Sequence, residues 1–144
     1  MRRALRLARA AAARGEVPVG AVAVREGVVI AAAGNAMERR GDATAHAEMR
    51  VLRRAARVVG GWRLHGVTLF VTLEPCAMCA GAMVQARIDR CVYGAHDQKK
   101  GADGSVYDVL RHTANNHRLA VSEGVLGAEC GALLSEFFAR RRAG

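Results

Sequence analysis

The sequence predicts an α/β domain in which helices are layered on a mixed sheet of about five strands, with residues 1–144 as one unit. Three observations carry that prediction. Segments with apolar residues at helical spacing alternate with short β-branched runs. The first two strand candidates are joined by a tight turn and the later ones by helices, so antiparallel and parallel neighbours are both expected. Hydrophobic residues make up 51% of the 144, enough for a substantial core. No apolar run is long enough to span a bilayer.

Taken in order, Met1 to Arg14 carries Arg2, Arg3, Arg6, Arg9 and Arg14 and no acid. An Arg-rich start of this kind resembles a transit peptide, but serines are absent. Leu5, Ala8 and Ala12 line up at helical spacing opposite Arg2, Arg6 and Arg9, which predicts an amphipathic first helix. There is no secretory hydrophobic stretch. Val17 to Val24 is a strand candidate interrupted by Pro18 and Gly20, and Glu26-Gly27 forms a hairpin turn into Val28 to Ala33. Ala45 to Val59 reads as a helix, with Arg50, Arg53, Arg54 and Arg57 on a solvated face and Val51, Leu52, Ala55 and Val59 opposite. Val67 to Thr72 alternates as a strand. Pro75 marks the first position of a helix running to about Ala86. Cys91 to Tyr93 is a strand, and a Gly-, Asp- and Lys-rich loop covers Gly94 to Gly104. A short helix around Val106 to Leu110, a short strand around Leu119 to Val121 and a last helix from Gly127 to Arg142 complete the chain. Aromatics are only 4%, so the core is built from Val, Leu and Ala.

Lys and Arg number 22 against 13 acids, a net charge of +9. Such a surface attracts polyanions, nucleic acid above all. An Arg-rich chain that uses Arg for its solvated faces gives the same count.

Four cysteines without an export signal favour metal or redox chemistry over a disulfide framework. Cys76 and Cys79 stand at i and i+3 in a helical first turn, where the dipole favours thiolate. A thioredoxin-like redox pair has the same spacing. Glu48 shares a helix face with Leu52, Ala55 and Val59, which places a carboxylate on the buried side. A buried carboxylate needs a partner or a task. His46 is nearly opposite Glu48 on a helical wheel, but at a helix N-terminus the two side chains can still converge. One imidazole and two thiolates make three protein ligands, the number that leaves a catalytic zinc open for water. Cys91, in an apolar strand, and Cys130, on a face with Leu133, Leu134 and Phe137, read as core thiols. Cys91 as a fourth ligand would instead close the site.

His46-Ala47-Glu48 followed by Pro75-Cys76-Ala77-Met78-Cys79 is the signature of the zinc deaminases. The resemblance extends along nearly the whole chain to the bacterial tRNA adenosine deaminases. It is carried by Glu16 to Val22, Thr44 to Glu48, Thr72 to Ala82, Gly104-Ser105, Asn116-His117-Arg118, Leu133-Leu134-Ser135 and Phe137-Phe138. It implies a three-layer α/β/α fold of the cytidine-deaminase type. It also implies one Zn²⁺ per subunit on His46, Cys76 and Cys79, whose activated water attacks C6 of a flipped-out adenine. Glu48 would protonate the ring and help ammonia leave. By the same resemblance Asn35 contacts the nucleoside, while Asp97, Asn116, His117, Phe138, Arg141 and Arg142 grip the tRNA anticodon loop. A cytoplasmic homodimer is implied as well. The sequence departs from the family in beginning directly at the first helix, in His96 where Arg is frequent, and in the extra charge of Lys99-Lys100. The same zinc ligands serve deaminases of free guanine, cytosine or nucleotides. A noncatalytic RNA-binding module with structural zinc is the remaining alternative.

Overall fold

A computed structural model describes residues 1–144. The elements in chain order are α1 (Arg2–Ala13), β1 (Gly20–Arg25), β2 (Val28–Gly34), α2 (Met37–Arg40), α3 (Ala47–Val59), β3 (Val67–Leu73), α4 (Ala77–Gln85), β4 (Arg90–Ala95), β5 (Ala120–Ser122) and α5 (Gly127–Ala143). The strands form one mixed sheet in the order β2-β1-β3-β4-β5. β1 runs antiparallel to both β2 and β3, with Ala21 opposite Val71 and Val22 opposite Phe70. β3, β4 and β5 are mutually parallel. The expected three-layer arrangement is present. α1 and α5 pack on one face of the sheet, and α3 and α4 form the other layer.

The elements follow from local chemistry. In the β1–β2 turn, Glu26 and Gly27 both have positive φ, the conformation that a two-residue hairpin needs to match strand twist. Val67, Leu69 and Val71 of β3 are fully buried, and Ala21 and Ala23 of the neighbouring β1 continue the same core. A buried Leu such as Leu69 contributes about 2 kcal/mol relative to an exposed one. α1 buries Ala4, Leu5, Ala8 and Ala11, so the apolar face is set one residue earlier than Ala12. Its small side chains let the helix axis approach β1 and β2 closely.

Three expectations are corrected. The predicted helix around Val106 to Leu110 is absent: residues 101–110 form turns with isolated bridges, one of them pairing Asp103 with Asp108. The reason is polar, since the backbone N–H groups of Asp103 and Ser105 are drawn to the buried carboxylate of Glu74. Pro75 is not the first helical residue. Cys76 is the N-cap and α4 begins at Ala77. Arg50 does not share the solvated face of α3: it is 8% exposed and its Nη1 donates to the Gly34 carbonyl.

The topology gathers several chain ends at one edge of the sheet. The segment entering β1 and the exits of β2, β3 and β4 lie there, together with the N-termini of α3 and α4. Open α/β sheets bind ligands outside the carboxyl ends of their parallel strands.

Candidate active site

α3 and α4 each present their first turn to this edge. His46 is the N-cap of α3, with an extended backbone at φ −67° and ψ 150°. It therefore stands outside the helical wheel, which removes the conflict with Glu48 two residues later. The capping bond comes from another segment: Ala47 N–H donates to Asn35 Oδ1 at 2.8 Å. The His46 ring is thereby free to face the α4 terminus. Cys76 is likewise an extended N-cap, with φ −73° and ψ 175°, and Cys79 is the third helical residue. Those two positions converge in any capped helix.

His46 Nδ1 lies 3.6 Å from Cys76 Sγ and 3.5 Å from Cys79 Sγ. All three donor atoms fall within 4.8 Å of one another. A tetrahedral zinc with Zn–N of about 2.1 Å and Zn–S of about 2.3 Å separates N and S by about 3.6 Å, so the donor set fits that ion. Cys91 is buried in β4 and is not among these donors, which leaves three protein ligands.

The electrostatics of the bare donors are polarised. The Cys79 thiol donates to Cys76, and this outweighs burial to bring Cys76 down to about 4, with His46 adding to the effect. Cys79 is held well above the usual thiol range by the Cys76 sulfur and by burial. His46 is raised by its hydrogen bond with Cys76. Zn²⁺ would draw both sulfurs into the thiolate form. Glu48, 4% exposed, is raised to about 7 by burial, against the lowering effect of its own backbone N–H and of His46.

His46, Cys76 and Glu48 open onto a cleft of about 410 Å³. Asn35 and Met37 line one wall. His96, Asp97, Gln98, Lys99 and Lys100 line the other, and Leu134 and Phe138 of α5 lean over it. Of the residues singled out in the sequence, Asn35, His46, Glu48, Cys76, Asp97 and Phe138 border this cleft, and Cys79 sits behind it among the donors. Asn116, His117, Arg141 and Arg142 do not border it. His117 Nε2 donates to the Ile88 carbonyl at 2.7 Å. Arg141 stacks over Phe137 at 5.0 Å in a separate groove between α1 and α5.

One organising residue was not singled out in the sequence. Glu74, at the exit of β3, is 1% exposed. Its carboxylate accepts from Asp97 N–H at 3.1 Å, Asp103 N–H at 2.8 Å, the Ser105 hydroxyl and His96 Nδ1 at 3.2 Å. The 96–105 loop is wound around this one side chain. At Gly101 a Cβ would come within 2.5 Å of both the Glu74 carboxylate and the Asp97 carbonyl, so only glycine fits the wrap. Burial pushes the Glu74 carboxyl up, but the hydrogen bonds outweigh it and leave it below its ordinary value. Behind the loop, Tyr93 donates to Asp103 at 2.7 Å and Glu123 at 3.0 Å, while Arg111 clamps Asp103 through Nε and Nη2. The available signal was an acid between an apolar strand and a Pro-Cys helix start, a place where charge is costly unless several donors meet it.

A family model described as MafB19-like deaminase matches residues 1–142. A tRNA-specific adenosine deaminase of Bacillus subtilis is 47% identical over 142 residues, covering 99% of this chain and 88% of that protein. The chain belongs to the tRNA-specific adenosine deaminase family. A solved structure from work on A-to-I editing by tRNA:A34 deaminases at the wobble position of transfer RNA superposes on this family member with a TM-score of 0.90. The two are 46% identical, and the match covers 93% of this chain and 97% of the other. The wider fold also includes a guanine deaminase of Bacillus subtilis, 31% identical with a TM-score of 0.65, covering 98% and 90% of the two chains.

Proposed function

We propose that the chain, acting as one unit over residues 1–144, converts adenosine to inosine at the wobble position of tRNA by hydrolytic deamination. The observation that carries this is the convergence of His46, Cys76 and Cys79 with a buried carboxyl, Glu48, on a cleft in a chain nearly half identical to a tRNA-specific adenosine deaminase. When bound by these three donors, zinc supplies an activated water for attack on C6 of the adenine. Glu48 needs no metal bond and is placed to move protons. It takes the proton that the attacking water gives up and delivers it to the ring at N1, then takes the remaining proton from the hydroxyl on C6 and delivers that to the departing amino group. Ammonia leaves and the C6 carbonyl of inosine remains. A carboxyl brought to about 7 by burial is poised for both directions of transfer near neutral pH.

Asn35 uses its Oδ1 on Ala47, which leaves its amide nitrogen to face the nucleoside. Asp97 and Phe138 border the same cleft and are assigned to the target nucleotide and its neighbours. Asn116, His117, Arg141 and Arg142 lie beyond it and are assigned to the rest of the anticodon arm. The net charge of +9 supports a polyanionic substrate. No helix is long and apolar enough to cross a membrane, and action on tRNA supports a cytoplasmic site. One Zn²⁺ per subunit and a homodimer complete the reading, checked by metal analysis and light scattering.

The test is inosine formation on an anticodon stem-loop with adenosine at the wobble position, beside free adenosine, guanine and cytidine. Product from the stem-loop alone is expected. Turnover of guanine alone would favour a free-base enzyme, the second reading, which rests on the shared fold of the guanine deaminase.

A further inference from the structure

The wall opposite the 96–105 loop carries an arginine cluster that no internal ion pair neutralises. Arg39 and Arg40 are exposed on α2, Arg54 is exposed on α3, and Arg14 is exposed just after α1. All four surround the buried Arg50, and their repulsion adds to burial in bringing its guanidinium down to about 10. Arg50 and Arg54 reach over the edge of β2 to the Gly34 and Ala32 carbonyls. None of the five forms an ion pair: every ion pair in the protein involves Arg111 or His96, on the other flank. Of the nearby acids, the exposed Glu38 on α2 and Asp42, whose carboxyl Arg53 and Arg40 help to lower, form no ion pair with the cluster. Glu16 accepts the backbone N–H groups of Glu38 and Arg39, and Asp42 accepts from Thr44.

The cluster is continuous with the cleft. Asn35 and Met37 line it, and α2 carries the chain from Met37 to Arg40, a rise of about 4.5 Å. A side chain as long as arginine starts there within reach of anything projecting from the cleft mouth. Gathering like charges beside one another without a direct ion pair is unfavourable, and a polyanion joining them relieves the repulsion.

We infer that Arg14, Arg39, Arg40 and Arg54 form a docking surface for backbone phosphates of the RNA stem that leads away from the target loop. This rests on the RNA substrate proposed above. Spaced, exposed guanidinium groups suit a string of phosphates, each met bidentately. They carry no base readout, so they set register and affinity rather than sequence preference.

The test compares R39Q/R40Q/R54Q with wild type on the wobble-adenosine stem-loop across a salt series. Equal charge is removed elsewhere, in R2Q/R3Q/R6Q on α1, as a control. The expected result is a KM raised on the order of tenfold with kcat within about twofold. The slope of log(kcat/KM) against log[salt] should become shallower by about one for each phosphate that the variant no longer neutralises. The control should keep both values. R39Q/R40Q serves if the triple variant folds poorly, because those two side chains make no hydrogen bond in the protein. A wild type that makes no inosine in the stem-loop would instead reject the substrate reading itself. Unchanged KM and slope in the variant, or an equal change in the control, would overturn the docking surface while leaving the reaction standing. Unchanged stem-loop kinetics with weakened retention on heparin would give the patch to another polyanion and overturn the RNA assignment.

Discussion

The two walls of the cleft handle charge in opposite ways. On the 96–123 side, carboxylates are engaged internally while Lys99 and Lys100 stay exposed: Glu74 takes up donors from the loop, Asp103 is clamped by Arg111 and Tyr93, and Glu123 lies between Tyr93, Arg111 and His96. On the α2–α3 side, arginines stand beside one another without carboxylate partners. The first wall uses its polar groups to hold a shape. The second leaves them available to something outside the protein. Between the walls lie Glu48 and the three donors, which depend on neither kind of pairing.

That division can be broken at its centre first. Glu48→Gln preserves size and burial but removes the proton carrier. It should retain bound zinc while kcat falls by about 10² to 10⁴. Metal analysis beside single-turnover inosine formation checks this. Turnover within a few-fold of wild type would remove Glu48 from the chemistry.

The rigid wall comes next. Glu74→Ala withdraws the acceptor from several buried or half-buried donors at once. It should cost about 2–4 kcal/mol in unfolding free energy, read by urea denaturation. KM for the stem-loop should rise through disorder of the 96–105 loop, with the zinc content intact. The sign with pH follows from the carboxyl lying below its ordinary value of 4.5 in the folded state. Its contribution is complete above that ordinary value and is lost as pH falls through the lowered one. The stability gap between wild type and Glu74→Gln should therefore narrow only in acid. A gap that stays constant from neutral pH down through the acid range would contradict this.

The sheet and the cysteine pair were legible in the sequence because each depends on local spacing, whereas His46, 30 residues before Cys76, joins them only through the family resemblance. The β-branched runs, the Glu26-Gly27 turn and the Cys76/Cys79 interval all speak through neighbours close in the chain. The 96–105 loop was not legible in that way. Its form is dictated by Glu74, 22 to 31 residues earlier in the chain, and no periodicity records such a bond. The helix expected at Val106 to Leu110 gives way to turns around the same anchor: Glu74 holds the Asp103 and Ser105 N–H groups, and locally the Gly104 N–H goes to the Tyr107 carbonyl while Val106 and Tyr107 N–H both go to the Gly101 carbonyl. Arg50 misled because helical spacing grouped it with Arg53, Arg54 and Arg57. Only the edge of β2, with its Gly34 carbonyl, gives a buried guanidinium somewhere to go.

The finest test of the contrast is Arg111→Gln. Arg111 meets Asp103 through two nitrogens at 2.8 and 2.7 Å, yet its side chain is 50% exposed and Tyr93 still donates to the same carboxylate. Half of the ion pair faces water, so screening discounts it, and the expected loss is about 1 kcal/mol. Activity on the stem-loop should stay within about twofold, because Arg111 lies behind the loop and does not border the cleft. A loss several times larger would mean that the 96–105 wall hangs on Asp103 rather than on Glu74. An unchanged stability would mean that Tyr93 and the backbone hold Asp103 without help, and that charge pairing on this wall is a consequence of the loop's shape and not its cause.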